Sequence, residues 1–427
     1  MTSTMTSEAA GPTEAYVWVW LPGASEPVVA GLLEAVGRTV TFSYGRSYLG
    51  RDDAIPLYLP ELPLMRGRQR APLGLELPGC IDDAGPDAWG KRVIMRKLLG
   101  SSSRDLDADE LHPLSYLLES GSDRVGALDF QSSPTRYRSR DAEQATLEEL
   151  MQAAELVERG MPLSPALSEA LLRGTTIGGA RPKALLADSG RTRIAKFSSS
   201  TDPFPVVRGE FAAMELARRA GLSVAPVELV ERLGKQALLV ERFDRVPGTA
   251  QRRATVSALT ILGLSEMQGR YAAYPDLADE IRARFSDPRG TLRELFARIT
   301  FNVLVGNTDD HARNHAAFWE GRQLTLTPAY DVCPQVRSGG EARQAMAIGR
   351  DGSRWSRLTT CVAAAATYLL SEEEARATID RQLEVIRGEW DAVSRSAGLT
   401  PADKERMWGR QLLNPYALEG YAEQRAG

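Results

Sequence analysis

Cysteine and histidine are scarce in this chain, with three of each in 427 residues. Cys80, Cys333 and Cys361 lie far apart and form no Cys-x-x-Cys pair, which argues against a disulfide framework and against a structural zinc site. His112, His311 and His315 are too few for a histidine-rich metal centre. A basic excess is missing too: the net charge of −4 argues against a dominant nucleic-acid-binding surface. The one local basic stretch, Arg66-Gly67-Arg68-Gln69-Arg70, reads as a solvated loop. No apolar run approaches membrane-spanning length, and the polar start from Met1 to Glu14 lacks a signal-peptide core. These absences predict a cytoplasmic protein with no membrane partner.

What is present is an ordinary globular composition, 43% hydrophobic and 25% charged, on a chain too long for one simple core. Ala15–Leu21 is dense in β-branched and aromatic residues and predicts a strand, as does Thr39–Tyr44. The proline-bearing stretch Arg51–Arg70 suits strand edges and turns, and Asp87–Ile94 the start of a helix. In the middle, Lys183–Ala187 and Thr192–Phe197 flank Asp188-Ser189-Gly190, a hairpin signal. A helix follows from Glu210 to Gly221, then two strands, Val227–Arg232 and Gln236–Phe243. Beyond Ala254 the periodicity is mostly helical: Thr255–Leu264, Leu277–Phe285, Thr291–Val305, Glu372–Ser394 and Pro401–Leu413. A β-rich half followed by a helical half, with polar motifs at the joint, predicts a two-lobed enzyme with a cleft.

Five further features support that cleft. Gly306-Asn307-Thr308-Asp309-Asp310-His311-Ala312-Arg313-Asn314 is a polar cluster between apolar runs. The five-residue step from Asp309 to Asn314 is that of a protein-kinase catalytic loop, where the aspartate faces an incoming hydroxyl and the asparagine reaches a magnesium ion. Downstream, Leu324–Val332 reads as a short strand and turn presenting Asp331, a second metal-binding carboxylate; the plain alternative is a helix cap. Upstream, Gly178-Gly179-Ala180-Arg181-Pro182-Lys183 lets backbone N–H groups approach phosphate, with Arg181 or Lys183 adding charge; alone it would be a glycine turn. Lys196 stands in an apolar strand, placed to meet a nucleotide's phosphates, unless it is a strand-end lysine reaching solvent. Either Glu210 or Glu215 on the next helix would orient it. Glu241-Arg242-Phe243 ends the second hairpin where a hinge carrying adenine-binding backbone belongs.

In that order these motifs resemble the HipA-type serine/threonine kinases, the toxin half of bacterial toxin–antitoxin pairs. The resemblance rests on Gly178–Lys183, Val240-Glu241-Arg242-Phe243-Asp244, Thr308–Asn314 and Tyr330-Asp331, and it extends to Tyr48-Leu49-Gly50-Arg51 and Gly85-Pro86-Asp87-Ala88-Trp89-Gly90. It implies an α+β, protein-kinase-like two-lobed fold with β-rich N-terminal subdomains and an all-helical C-terminal lobe. The expected divisions are a disordered tail over 1–13, an accessory subdomain over 14–125 and an N-lobe-like subdomain with the phosphate loop over 126–245. A helical lobe with the catalytic loop follows over 246–415, then a tail over 416–427. The resemblance further implies ATP and Mg2+, with Asp309 as proton acceptor, Asn314 and Asp331 as metal ligands, and Lys196 on phosphate. Glu241, Arg242 and Phe243 would bind adenine, while His311, Ala312, Arg313 and Asn314 would line the nucleotide. Family members phosphorylate a serine just upstream of the phosphate loop; here Thr176 stands at that place, with Thr175 beside it. The implied partners are a HipB-like helix-turn-helix antitoxin, DNA only through that antitoxin, and a protein substrate such as an aminoacyl-tRNA synthetase. Two other readings compete: a catalytically silent kinase-shaped subunit of a repressor complex, and a small-molecule kinase.

Overall fold

The computed structural model describes residues 11–99, 111–140, 146–159, 161, 164, 167, 183–188, 190–199, 202–232, 234–337 and 339–421. Thr175, Thr176, Gly178, Gly179, Ala180, Arg181 and Pro182 lie outside the described residues, as do most of the two tails. The chain divides into two units, one comprising 1–186 with 244–254, the other 187–243 with 255–427.

The first unit is built on an antiparallel five-stranded sheet of order β4-β3-β2-β1-β5. Its strands are β1 Glu14–Val19, β2 Val28–Val36, β3 Thr39–Tyr44, β4 Gln69–Arg70 and β5 Leu128–Gln131. The Tyr/Val/Trp run of β1 makes it a centre strand, with Ala15, Val17 and Val19 buried. Strand β2 carries no strong local signal, because Gly31 interrupts its apolar run. Gly31 is needed there: a Cβ would sit 2.2 Å from the Ser43 carbonyl oxygen on β3. The basic stretch at 66–70, expected as a solvated loop, ends in the edge strand β4 with Gln69 buried, while its arginines are exposed and Arg68 pairs with Glu34 at 2.7 Å. Helix Ala88–Leu99 covers the segment expected to begin one at Asp87.

Strand β6, Lys183–Asp188, carries the chain into the second unit. There β7 Arg191–Phe197, β9 Lys235–Glu241 and β8 Val227–Arg232 form an antiparallel array, with Lys196 opposite Leu238. The helix between β7 and β8 runs Val206–Arg219, a turn earlier than the sequence indicated. The remainder of the unit is helical in the main, with Tyr274–Arg284, Pro288–Val305 and Glu372–Ser396.

This half is not helical throughout. Strands β10 Thr255–Ser257, β11 Ala316–Trp319 and β12 Leu324–Leu326 form a three-stranded sheet. The expected helix over Thr255–Leu264 therefore starts as a strand. The β-branched pair Thr255-Val256 lies opposite Phe318 and Ala317, and Ser257 then caps a short helix, Ala258–Ile261. Likewise the helix expected over Pro401–Leu413 stops at Met407, with Gly409 left-handed just beyond. Among the described residues no helix is long and apolar enough to cross a membrane.

One helix end governs the site. Asp287 caps the helix Pro288–Val305, accepting from the Gly290 N–H at 3.0 Å, and Gly306 ends it in the left-handed region at φ 70°. A Cβ on Gly306 would stand 2.5 Å from the Gln411 carbonyl oxygen. Gly306→Ala should therefore cost about 2 kcal/mol or more, from the left-handed backbone and the clash together, read as a lower urea midpoint.

Candidate active site

All the described groups that come together here belong to the second unit. Lys196 points inward from β7 with its side chain 14% exposed, so it is not a strand-end lysine reaching solvent. Its ammonium donates to Glu210 Oε1 at 2.5 Å and to Asp331 Oδ1. Burial disfavours the charged lysine, but the carboxylates of Asp331 and Glu210 outweigh it and hold the ammonium above its ordinary range. Between the two candidate glutamates the choice is Glu210, which is buried on the helix Val206–Arg219. Glu215 turns to Arg218 and Arg219 at 2.7 and 2.8 Å.

Asp331 follows the turn after β12 in a left-handed conformation, φ 59°. A non-glycine residue held there is strained and persists only when its surroundings fix it. No helix begins at Asp331, so it is not a helix cap. Next to it, the Tyr330 hydroxyl donates to the Arg313 carbonyl at 2.7 Å, joining the turn to the loop that carries Asn314.

That loop is pinned on several sides. Gln335 N–H donates to the Gly306 carbonyl at 2.9 Å and Ala345 N–H to the Thr308 carbonyl at 3.0 Å. Asn314 is buried, and its amide nitrogen donates to the Asp309 carbonyl at 3.3 Å. This orients the amide oxygen for a ligand. Asp309 itself is exposed. The packing around it removes enough water to raise its carboxyl above the ordinary range; His311 works against the rise, and Asp331 and Asp310 add to it. Ala312 is buried, and Arg313 reaches back to Glu266 at 2.6 Å.

Beneath Asp309, the buried Asp310 collects three donors: Asn302 Nδ2 at 2.8 Å, His315 Nε2 at 2.9 Å and the Tyr274 hydroxyl. Asn307 Nδ2 donates to Asn302 Oδ1 at 3.1 Å and extends the network. Burial opposes the charge on Asp310, but His315 and Tyr274 outweigh it and lower the carboxyl below its usual range. A depressed carboxylate contributes stability above its unfolded value, about 3.9, and loses it as pH falls through the folded value. Asp310→Asn should remove this acid dependence: below about pH 4 the wild type should lose stability more steeply than the variant, in urea titrations across pH. Neither Tyr274 nor Asn302 was among the site residues expected from sequence. The one local signal was Asn302 itself, a buried polar side chain inside an apolar helix.

Two expected contributors behave differently. Lys183 belongs to the first unit, where its side chain is 2% exposed and its ammonium lies 2.6 Å from Asp87. Burial keeps the Asp87 carboxyl raised, and Lys183 only partly offsets it. The sequence grouped Lys183 with the glycine loop by adjacency, but the alternation of β6 turns it inward. In the segment expected to be a hinge, Glu241 and Arg242 spend their N–H groups on the Pro226 and Thr192 carbonyls, at 2.9 and 3.0 Å. The Phe243 ring packs on Phe318 and Tyr330, centroids 5.8 and 5.6 Å away.

A strand lysine held by a helix glutamate, with an Asp-x4-Asn loop and a later aspartate, is set on a mixed α+β fold of the protein-kinase type. Comparison with known proteins then gives the family. The HipA-like C-terminal domain matches residues 175–390 and the HipA N-terminal domain residues 19–131, and the chain belongs to this HipA-like family. It is 29% identical over 203 residues to the serine/threonine-protein kinase toxin HipA of Shewanella oneidensis, covering 40% of this chain and 46% of that protein. It is also 29% identical over 166 residues to the putative kinase Y4mE of Sinorhizobium fredii, covering 37% and 38%. The chain thus spans about half or less of the length of the curated relatives it matches. Among solved structures, HipA from the Shewanella oneidensis MR-1 complex of HipA, HipB and operator DNA matches with TM-score 0.68 at 19% identity. That match covers 95% of this chain and 98% of the other, and it bears on the fold.

Proposed function

We propose that this protein is an ATP-dependent serine/threonine protein kinase acting as the toxin of a toxin–antitoxin pair. The observation that carries the proposal is the ammonium of Lys196 shared between Glu210 and Asp331. A largely enclosed lysine bridging two carboxylates, beside a loop that exposes Asp309, has the chemistry to receive phosphate oxygens.

The donor set fits Mg2+. The Asp331 carboxylate and the Asn314 amide oxygen are hard oxygen ligands, and a magnesium ion asks for few protein ligands when nucleotide phosphates supply others. Bound there, Mg·ATP supplies the transferable phosphoryl group with its charge partly neutralised. With Mg·ATP bound, Lys196 would bind and orient phosphate oxygens, Glu210 would hold Lys196 in place, and Asp331 would serve as a metal ligand. Asp309 accepts the proton of a serine or threonine hydroxyl, and its raised carboxyl lies nearer the working pH than an ordinary aspartate. The remaining backbone groups of Glu241–Phe243 meet the adenine edge, and His311–Asn314 line the nucleotide.

The partner in this proposal is a HipB-like helix-turn-helix antitoxin, as in the solved Shewanella complex, with DNA reached only through it. The substrate is a protein of translation, such as an aminoacyl-tRNA synthetase, and the protein also modifies itself at Thr176 or Thr175. Incubation with γ-labelled ATP tests this. Magnesium-dependent label on a protein serine or threonine supports the reading. Full-length, folded protein that labels neither itself nor any cytosolic protein would overturn it.

A further inference from the structure

Immediately after the hinge the chain leaves the kinase-like unit. Residues 244–254 belong to the first unit, and the chain returns to the second at Thr255. This excursion is fastened at its first two residues. The Asp244 carboxylate, 5% exposed, accepts the Gly126 N–H at 2.7 Å. Arg245, 12% exposed, donates to Asp123 Oδ1 at 2.6 and 3.1 Å. It also donates to the Arg124 carbonyl at 2.5 Å, the Gly126 carbonyl at 3.0 Å and Asp244 Oδ2 at 3.0 Å. Every nitrogen of the guanidinium is engaged, the geometry in which arginine has no equivalent substitute. The returning segment is held too, with Arg253 N–H donating to the Asp244 carbonyl at 2.9 Å and Arg252 stacked 3.6 Å above the Trp20 ring.

On the other side of the same peptide, Phe243 is fixed within the second unit by Phe318 and Tyr330. The hinge peptide therefore has an anchor at each end: an aromatic one at Phe243 and a charged one at Asp244-Arg245. Backbone recognition of a flat heterocycle needs its donor and acceptor held to a fraction of an ångström, by groups that are themselves locked. A hinge tethered at one end only would have to be ordered by the ligand, at the expense of affinity.

We infer that Arg245 is a positioning residue for the nucleotide-contacting backbone at Glu241–Phe243, to which it is joined through the Phe243–Asp244 peptide. This rests on the kinase reading proposed above. Arg245 touches no nucleotide in this scheme; it acts through the peptide it anchors.

The test uses the full chain with Arg245→Ala and the milder Asp123→Asn, each checked for folding by thermal melting. With Mg·ADP as the probe, Arg245→Ala should weaken binding about tenfold and Asp123→Asn roughly threefold, while kcat at saturating ATP stays within about twofold. In nucleotide-free protein, the amides of Arg242 and Phe243 should exchange hydrogen faster in both variants. A merely structural role would lower the melting temperature or the active fraction and leave affinity and hinge exchange unchanged. Wild-type affinity and wild-type hinge exchange in both folded variants would overturn the inference, as would a fall in kcat at constant affinity. If the wild type itself binds no Mg·ADP the kinase reading fails, and the hydrogen-exchange comparison still decides whether Arg245 positions the hinge.

Discussion

Asp309→Asn should lower phosphoryl transfer by about 10² to 10⁴-fold, the contribution of one positioned general base. The substitution keeps the size and shape of the side chain and removes only its ability to take a proton. Asp309 is exposed, and the contacts that pin the loop, among them Asn314 to the Asp309 carbonyl and Ala345 to the Thr308 carbonyl, do not use its carboxylate and survive the change. The melting temperature should therefore hold and Mg·ATP affinity should hardly move, so that the loss falls on kcat alone. A variant that melts early would mean that Asp309 is a scaffold residue, and one that transfers phosphate at the wild-type rate would mean that another group takes the proton.

Lys196→Met should damage both stability and activity. Methionine fills much of the lysine stem's volume but removes the ammonium that pairs with the buried Glu210. Breaking a buried pair by removing one partner costs about 3 kcal/mol or more, because the remaining charge is stranded. The arm to Asp331 adds less, since that side chain is 36% exposed and water takes up part of the loss. Activity should fall about 10²-fold or more, the scale for removing one preorganised electrostatic contact to the transferring group. Pairing Lys196→Met with Glu210→Gln separates the two effects. The double variant should recover stability, since the stranded charge is gone, and should not recover activity. Recovery of both would mean that the ion pair only supports the fold.

Much of this site was legible along the chain because its signals are local. Asp309 and Asn314 sit five apart in one loop, Asp331 ends a short strand and turn, and Lys196 breaks an apolar strand. The preference for Glu210 over Glu215 was not legible. Five residues on a helix turn a side chain well away from its starting face, so only one of the pair can face β7. Knowing which one requires the helix's rotation against the sheet. Asp310 is legible as a loop residue, but Tyr274 reaches it from 36 positions away, and such a partner leaves no trace in spacing. The ion pair of Lys183 with Asp87 was not legible either, because that partner stands far upstream in the chain and adjacency pointed only to the glycine loop. The excursion over 244–254 escaped notice for a related reason: Asp244-Arg245 continues the Val-Glu-Arg-Phe run without a break, and only the Asp123 and Gly126 contacts reveal where it belongs.

The central claim is that Asp331 and Asn314 hold the metal of an ATP site whose lysine is Lys196. A crystal structure with magnesium and a non-hydrolysable ATP analogue tests it most directly. The account predicts a magnesium ion about 2.0–2.1 Å from the Asn314 amide oxygen and from an Asp331 carboxylate oxygen, with the Lys196 ammonium on phosphate and Glu210 still beside it. Nucleotide bound elsewhere, or bound here with Asn314 and Asp331 both free of metal, would contradict it.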